Sequence, residues 1–310
     1  MGFAAFQRLK YIPIYGRFQW LNHESTNKIL GKFLKPPSKG RRGYDKVWLF
    51  KWLIYKQVTS CSYRDLETMT GVDYSTFIKF RQRLITKCWF QNIFKKLVDN
   101  IVDNLKDLTL IIDSSFVQTY SRHDEEGSEY FGYKQKNGFK LHQIIDYKTR
   151  LPLIQFCTPG ARADIVWGRN LIRAAPKYWK VREVLADKGY DADQFVHDIR
   201  LKWKKVKVGI PLRKLVYPGN WLNQFLRRWP TSLNPGLLNK RTEIERYFSR
   251  KKHVFRLGEE RTRHLKNFRA NCYLTSIMEI LEWMSRILVL FTKLMTTIFT
   301  EMNKYGIVLY

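Results

Sequence analysis

Two aspartates each follow a short apolar run that predicts a β-strand. Asp113 closes the run LTLIID, and Asp187 closes the run VREVLAD. In open α/β sheets, ligand sites lie outside the carboxyl ends of the strands, so an aspartate at such an end faces the site. If the two strands are neighbours, the carboxylates converge and repel each other. A divalent cation relieves this repulsion, and Mg²⁺ prefers carboxylates together with water and phosphate.

A third acid lies on a predicted helix within the run NKRTEIERYFSRKKHVF. At 100° per residue, Arg241, Glu245 and Lys252 lie within about 40° of one another. Glu243 points to nearly the opposite side of the helix, toward solvent or another basic segment. The apolar stripe that would pack on the sheet consists of Ile244, Phe248 and Phe255. A solvated i,i+4 ladder of ion pairs has the same pattern, and each aspartate alone is also typical of a turn or a cap. Together the three acids favour a catalytic cluster.

The composition indicates a polyanionic partner. The 310 residues include 56 Lys and Arg against 27 Asp and Glu, a formal charge of +29, and 45% are hydrophobic, enough for a sizeable core. Residues 1–60 carry 12 basic and 2 acidic side chains, and residues 200–269 carry 20 and 4. Such an excess repels itself unless a polyanion neutralises it. Nucleic acid is the first candidate and an anionic membrane surface the second.

Several other classes do not fit the sequence. The four cysteines form no CxxC pair and the six histidines lack metal-ligand spacing, which argues against a zinc site or a disulfide framework and agrees with a reducing cytoplasm. The basic N-terminus does not resemble a signal peptide. The apolar stretch 277–300 is interrupted by charges, so we expect a helix that is buried or packs on a partner. These charges are Glu279, Glu282, Arg286 and Lys293.

The chain is predicted to contain four segments. Residues 1–43 are basic and irregular, and residues 44–106 form a small all-helical subdomain. Residues 107–270 form the catalytic domain, and residues 271–310 form a C-terminal helical segment. In the second segment Ser62 and Asp73 are predicted caps and Gly71 a stop. Its short helices, the third rich in Lys and Arg, suggest a helix-turn-helix-like DNA reader, although a structural role stays open.

From residue 108 the predicted elements are a strand, a hairpin, a helix, a strand, a helix, a strand and a helix. This order is typical of a mixed α/β sheet with helices on its faces. The hairpin GFKLHQIIDYKTRLPLIQFCT turns at 146–150, and the run ADIVWGRNLIRAAPKYWK is the first of these helices. The fold class is therefore α/β.

The runs IIDSSFV around Asp113, ADKGYD at 186–191 and RTEIERYFSRKK at 241–252 resemble the insertion-sequence transposases of the DDE class. The likeness extends from about residue 44 to 285. It includes the segments at 138–146 and 158–172.

The family has a C-terminal signature of Tyr, two residues, Arg, three residues, Glu, six residues and Lys. Arg241, Glu245 and Lys252 fit this spacing, whereas Leu238 stands at the Tyr position. The 58 residues from Asp187 to Glu245 are too few for the large β insertion of some relatives.

The resemblance implies a ribonuclease-H-like fold and a DNA transposase that cuts transposon ends and joins the 3′-OH to target DNA. Two Mg²⁺ or Mn²⁺ ions would be held by Asp113, Asp187 and Glu245. Arg241 and Lys252 would clamp phosphates near the transposon end. Lys188 and Tyr190 would contact the same strand, although Tyr190 could equally belong to the core.

The implied partners are double-stranded DNA, both terminal inverted repeats and target, and further copies of the chain in a synaptic complex. A prokaryotic cytoplasmic, nucleoid-associated location follows, with no membrane. Three alternatives stay open: a nuclease or resolvase on the same fold that cuts without joining, a DNA-binding relic that has lost catalysis, and a basic membrane-surface protein.

Overall fold

The computed structural model describes most of the chain in several stretches. Leu238 lies outside them, as do parts of both basic blocks and most of the run KPPSKGRRG. The described residues are 12–14, 16–35, 43–103, 105, 107–119, 127–211, 239–259 and 264–304, with side chains described as far as residue 287. The chain divides into two compact units, residues 1–87 with 277–310 and residues 88–276.

The first unit is helical, and its N-terminal part differs from the prediction. We expected residues 1–43 to be irregular, but a 3₁₀ helix and helix α1 lie within this range. The expectation was wrong because a few apolar side chains suffice for packing in a basic segment; Leu21 and Leu30 are fully buried. The elements of the first unit are the 3₁₀ helix Gly16–Asn22 and helices α1 (Glu24–Phe33), α2 (Lys46–Thr59), α3 (Tyr63–Thr70) and α4 (Tyr74–Thr86).

The boundaries of α3 and α4 follow the predicted local signals. The Ser62 side chain accepts from the Asp65 backbone N–H and the Asp65 carboxylate accepts from the Ser62 N–H, which makes a capping box. Asp73 caps α4 through the Ser75 N–H. Gly71 ends α3 with a φ of 69°, a left-handed conformation that glycine adopts without strain. The predicted caps and stop are confirmed.

The second unit contains a six-stranded mixed sheet and its flanking helices. Its strands are β1 (Leu108–Gln118), β2 (Glu129–Phe131), β3 (Lys136–Asp146), β4 (Pro152–Pro159), β5 (Val181–Ala186) and β6 (Lys207–Gly209). Its helices are α5 (Trp89–Val102), α6 (Asp164–Ala174), α7 (Asp193–Lys202) and α8 (Thr242–His253). A long helix, α9 (Leu265–Lys304), begins here and continues into the first unit. No helix within the described residues has an apolar stretch long enough to cross a bilayer.

The sheet has the order β2-β3-β1-β5-β6, and β4 also pairs with β3. Strand β1 lies at its centre, antiparallel to β3 and parallel to β5, and β6 is parallel to β5. Strand β2 was not predicted. The predicted class, a mixed α/β sheet flanked by helices with a helical N-terminal region, is confirmed.

The two faces of the sheet are covered by different helices. Alternate residues of a strand point to opposite faces. Ile111 and Val117 of β1 belong to one apolar cluster with α8, formed on the helix side by Ile244, Tyr247 and Phe248. We call this the α8 face. Ser114 points to the other side of the sheet, where its hydroxyl donates to Asp164 at the start of α6. We call that side the α6 face.

Candidate active site

Asp113 and Asp187 are neighbours because β1 and β5 are neighbours. The parallel pairing of these strands ends at Ile112 and Ala186, so Asp113 in β1 and Asp187 directly after β5 occupy the next positions. Adjacent strands lie about 4.8 Å apart. Each aspartate lies two residues after a residue of the apolar cluster on the α8 face, Ile111 and Leu185 respectively. Residues two apart in an extended chain point to the same side, so both acids lie on the α8 face. The sequence predicted this convergence on condition that the strands were neighbours, and that condition is met.

The strand position of Asp113 needs a correction. We expected it to close its strand, but β1 continues to Gln118. Asp113 lies opposite Gln143 within the antiparallel ladder to β3. Beside Asp113, β1 itself continues, but its pairing with β5 has ended. Within the part of the chain that the structure describes, the edge of β1 that faces β5 is therefore unpaired from this carboxylate onward.

The two aspartates differ in their surroundings. The Asp187 side chain is 43% exposed and begins the short 3₁₀ helix Lys188–Tyr190, where it accepts from the Lys188 N–H. Asp113 is more enclosed, and its Oδ1 accepts from the Ser114 N–H at 2.7 Å. Burial, with smaller contributions from Asp187 and Asp164, raises the pKa of Asp113 to about 7, while the Ser114 N–H and Arg241 oppose the rise. The charge of this carboxylate pair is thus only partly compensated.

Arg241 is the cation beside these acids. Its guanidinium Nη1 lies 4.0 Å from Asp187 Oδ1 and 3.2 Å from Glu245 Oε1. Glu245 is therefore on the same side of α8 as Arg241, and its side chain is 60% exposed. Among the described residues, no three His, Cys, Asp or Glu side chains stand together as a metal cluster. Glu245 contacts Arg241 here.

Two ion pairs fix α8 on the sheet. Lys240 lies immediately before Arg241, and its Nζ is 2.7 Å from Glu183 Oε2 in β5, a carboxylate that also accepts from Thr109 of β1. Because Lys240 is held to β5, Arg241 is held near the end of the same strand, where Asp187 lies.

The second anchor is Glu243. Its side chain is only 11% exposed and pairs with Arg150 Nε at 2.8 Å and with Arg246 Nη1 at 2.5 Å. We predicted that Glu243 faces solvent or another basic segment. The solvent alternative is wrong, because the side chain is buried. The basic-segment alternative is confirmed, since Arg150 in the turn after β3 is its partner. The prediction that Glu243 and Glu245 point to different sides of the helix is confirmed.

The predicted DNA-binding residues lie in different environments. Lys188 is exposed, and Lys252 is half-buried against Gly258. Burial and the neighbouring Lys134 lower the pKa of Lys252. Two ammonium groups that repel each other in this way are suited to share an anion.

Tyr190 belongs to the core. It is 1% exposed, and its ring lies against Phe195 and Gly168. A side chain at position 168 would lie 2.6 Å from the Tyr190 ring, so α6 needs glycine there. Burial and nearby carboxylates, Asp113 foremost, raise the pKa of the Tyr190 hydroxyl. Of the two roles open for this residue, the structure supports packing behind the site.

A second acidic group, on the α6 face, was not predicted. Asp164 Oδ1 accepts from the Ser114 hydroxyl at 2.6 Å and lies 3.0 Å from the Nζ of Lys140, which is 3% exposed. Lys140 also donates to the Arg162 carbonyl. The ammonium therefore compensates Asp164 inside the fold.

His142 completes this α6-face cluster. Its Nδ1 lies 3.6 Å from Asp164 Oδ1, and its Nε2 shares a hydrogen bond with Thr158. Burial lowers the pKa of His142 to about 4, so the ring is neutral at pH 7. The sequence offered one signal for the cluster: Asp164 lies in the segment 158–172 that carries the resemblance. However, an acid in the first turn of a helix is also an ordinary feature.

The donor set suits a hard divalent cation. Asp113 and Asp187 offer oxygen ligands that repel each other, and such carboxylates are what Mg²⁺ and Mn²⁺ prefer. The pKa of Asp113 is raised mainly by burial and further by the charge of Asp187, and a cation between the two carboxylates would offset both effects. Asp164 already has Lys140 as its cation.

One solved structure to which the chain is similar is a piggyBac transposase, determined by cryo-electron microscopy as a synaptic complex with hairpin DNA. It shares 14% sequence identity, and the match covers 91% of this chain and 73% of that one with a TM-score of 0.43. At that TM-score the likeness is loose and carries no functional argument. The search of curated proteins found no match.

The family comparison is more informative. The family model described as a transposase DDE domain matches residues 104–279, a range that contains Asp113, Asp187 and Glu245. This range is more than half of the chain and spans the whole sheet. The chain belongs to the DDE-domain transposase family.

Proposed function

We propose that this transposase cuts DNA at transposon ends and joins the freed 3′-OH to target DNA, with Asp113, Asp187 and Glu245 as its catalytic acids. The observation that carries the proposal is the pair of aspartates directly after the last paired residues of β1 and β5, with α8 held beside them. Their partly compensated charge supports a role in holding divalent cations. Glu245 would join them by exchanging its contact with Arg241 for the cation.

Two Mg²⁺ or Mn²⁺ ions, when bound, would stabilise charge on the scissile phosphate and on the leaving 3′ oxygen. The protein's own residues do the rest. The sheet fixes Asp113, and Ser114 orients its carboxylate through the backbone N–H. Arg241, released from Glu245, would pair with a phosphate near the cut, and Arg suits such bidentate contacts. Lys188 and Lys252 would neutralise neighbouring phosphates.

Helix α4 supports the proposal that the first unit reads DNA. Its side chains Lys79, Arg83 and Lys87 follow one another at intervals of four residues and are exposed. On a helix, this spacing forms one basic stripe. The stripe would face DNA phosphates while the apolar side of α4, including Phe77 and Leu84, stays in the core. Two copies of the chain would hold the two transposon ends in one synaptic complex.

The direct test is a cleavage and joining assay on oligonucleotides from the DNA that flanks the gene. We expect cuts at the inverted repeats and joined products in Mg²⁺ or Mn²⁺, and binding without cleavage in Ca²⁺. Asp113→Asn and Asp187→Asn should keep DNA binding and lose cleavage. Cleavage that persists in excess EDTA would contradict the proposal, and cutting without joined products would indicate a nuclease.

A further inference from the structure

The hairpin formed by β2 and β3 exposes two tyrosines at the end of the sheet. Tyr133, in the turn, is 84% exposed, and Tyr130 in β2 is 58% exposed. A single exposed aromatic ring is common on proteins, but two within four residues of one hairpin offer a flat apolar surface to a partner. Neither tyrosine has a role in the proposed chemistry.

The hairpin is held firmly to the sheet. Phe131 lies 5.3 Å from Phe116 of β1, and the Lys140 ammonium lies 4.5 Å above the Phe131 ring. Glu129 pairs with Arg162 at 2.8 Å. The exposed turn therefore projects from a rigid base, so a partner would meet Tyr133 without having to order the loop first.

One ammonium group lies beside the Tyr133 ring, and other lysines lie on neighbouring segments. The Lys134 Nζ lies 5.3 Å from its centroid, and Lys136 is exposed on the next strand. Lys134 is also close enough to Lys252 of α8 to lower the pKa of Lys252. An exposed aromatic ring next to ammonium groups suits a nucleotide, because the ring can stack on the base while the cations pair with the flanking phosphates.

The position of the hairpin sets its distance from the proposed cut. Gln118, which lies five residues after Asp113 along β1, pairs with Gly138 at the base of the hairpin. The Phe131–Lys136 pair before the turn lies two positions further along the ladder. At about 3.3 Å per residue, seven positions span about 23 Å. Successive base pairs are about 3.4 Å apart. The turn with Tyr133 would thus meet DNA roughly seven nucleotides from the bond that is cut.

We propose that the hairpin 129–138 binds an unpaired DNA base near the cleavage site, with Tyr133 as the stacking surface and Lys134 and Lys252 on the adjacent phosphates. This inference rests on the proposed function, since it assumes DNA in the site beside Asp113. It adds a contact that distinguishes distorted DNA from an intact duplex.

The test uses two oligonucleotide duplexes from the DNA that flanks the gene, one fully paired and one with 2-aminopurine unpaired about seven nucleotides from the expected cut. Binding is measured in Ca²⁺, so it does not depend on cleavage. We expect wild type and Tyr133→Phe to prefer the unpaired duplex and to quench its fluorescence. Tyr133→Ala should lose the quenching and bind that duplex about tenfold more weakly, in line with the stacking of one base. Tyr178→Ala is the matched control, because Tyr178 is 68% exposed after α6.

Equal binding of both duplexes by the wild type, or unchanged quenching with Tyr133→Ala, would overturn the inference. Failure of the proposed function would look different: the wild type would neither cut nor join in Mg²⁺. A protein that cuts and joins normally but shows no Tyr133-dependent quenching would refute the hairpin contact alone.

Discussion

The two faces of the central sheet handle negative charge in opposite ways. On the α6 face, Asp164 is compensated inside the fold by the buried Lys140 and by the Ser114 hydroxyl. On the α8 face, burial and the nearby Asp187 raise the pKa of Asp113, and Arg241 reaches Asp187 only at 4.0 Å. A carboxylate that is fully paired with its own cation is a structural element, whereas a carboxylate pair whose arginine stays 4.0 Å away can accept a cation from solution. The difference separates the acids that support the site from those that we propose to do chemistry.

The largest expected effect distinguishes the two glutamates of α8. Glu245→Gln should reduce cleavage by more than about 100-fold, since it removes a proposed cation ligand. Glu243→Gln should keep cleavage, but it weakens the anchors to Arg150 and Arg246 and should lower the free energy of unfolding by about 1 kcal/mol. Cleavage assays and thermal unfolding on both variants separate the two roles.

Both changes remove one negative charge from the same turn of the helix, so each variant is the control for the other. If Glu243→Gln were inactive at full stability while Glu245→Gln cut normally, the assignment of Glu245 would be wrong.

A smaller effect concerns pH and the stability of the metal-free protein. The folded state raises the pKa of Asp113 from 3.8 to about 7. Between these values the folded chain binds more protons than the unfolded chain, so the contribution of Asp113 to stability falls as pH rises through this window. Urea unfolding at several pH values in EDTA should show this decline, and Asp113→Asn should remove it. A wild-type curve parallel to that of Asp113→Asn would show that the charge on Asp113 is compensated.

The sequence predicted the parts of the site that depend on local pattern. Asp187 follows an apolar run, and α8 has the periodicity that separates Glu243 from Glu245, so both could be recognised. What decided the rest was the pairing of distant strands. That the pairing with β5 ends beside Asp113 could be predicted only by knowing which strands are neighbours.

The same limit explains the residues that were missed. Asp164 meets Lys140 and Ser114 only after α6 packs on β1 and β3, and nothing in the spacing of these residues indicates that contact. Glu243 was expected to reach solvent or a basic segment, and the choice between them was made by Arg150 in the turn after β3. The short strand β2 has three residues, too few for a period to be visible.

The most direct measurement of the central claim is a titration of the DNA-free protein with Mn²⁺, monitored by calorimetry, for the wild type and three variants with native circular dichroism. Asp113→Asn and Asp187→Asn should weaken Mn²⁺ binding by at least about tenfold, because each removes a charged ligand. Asp164→Asn should bind Mn²⁺ almost as the wild type does, since Lys140 already compensates that carboxylate. Mn²⁺ binding that survives in Asp113→Asn and Asp187→Asn, or that disappears in Asp164→Asn, would contradict the assignment of the α8 face as the cation site.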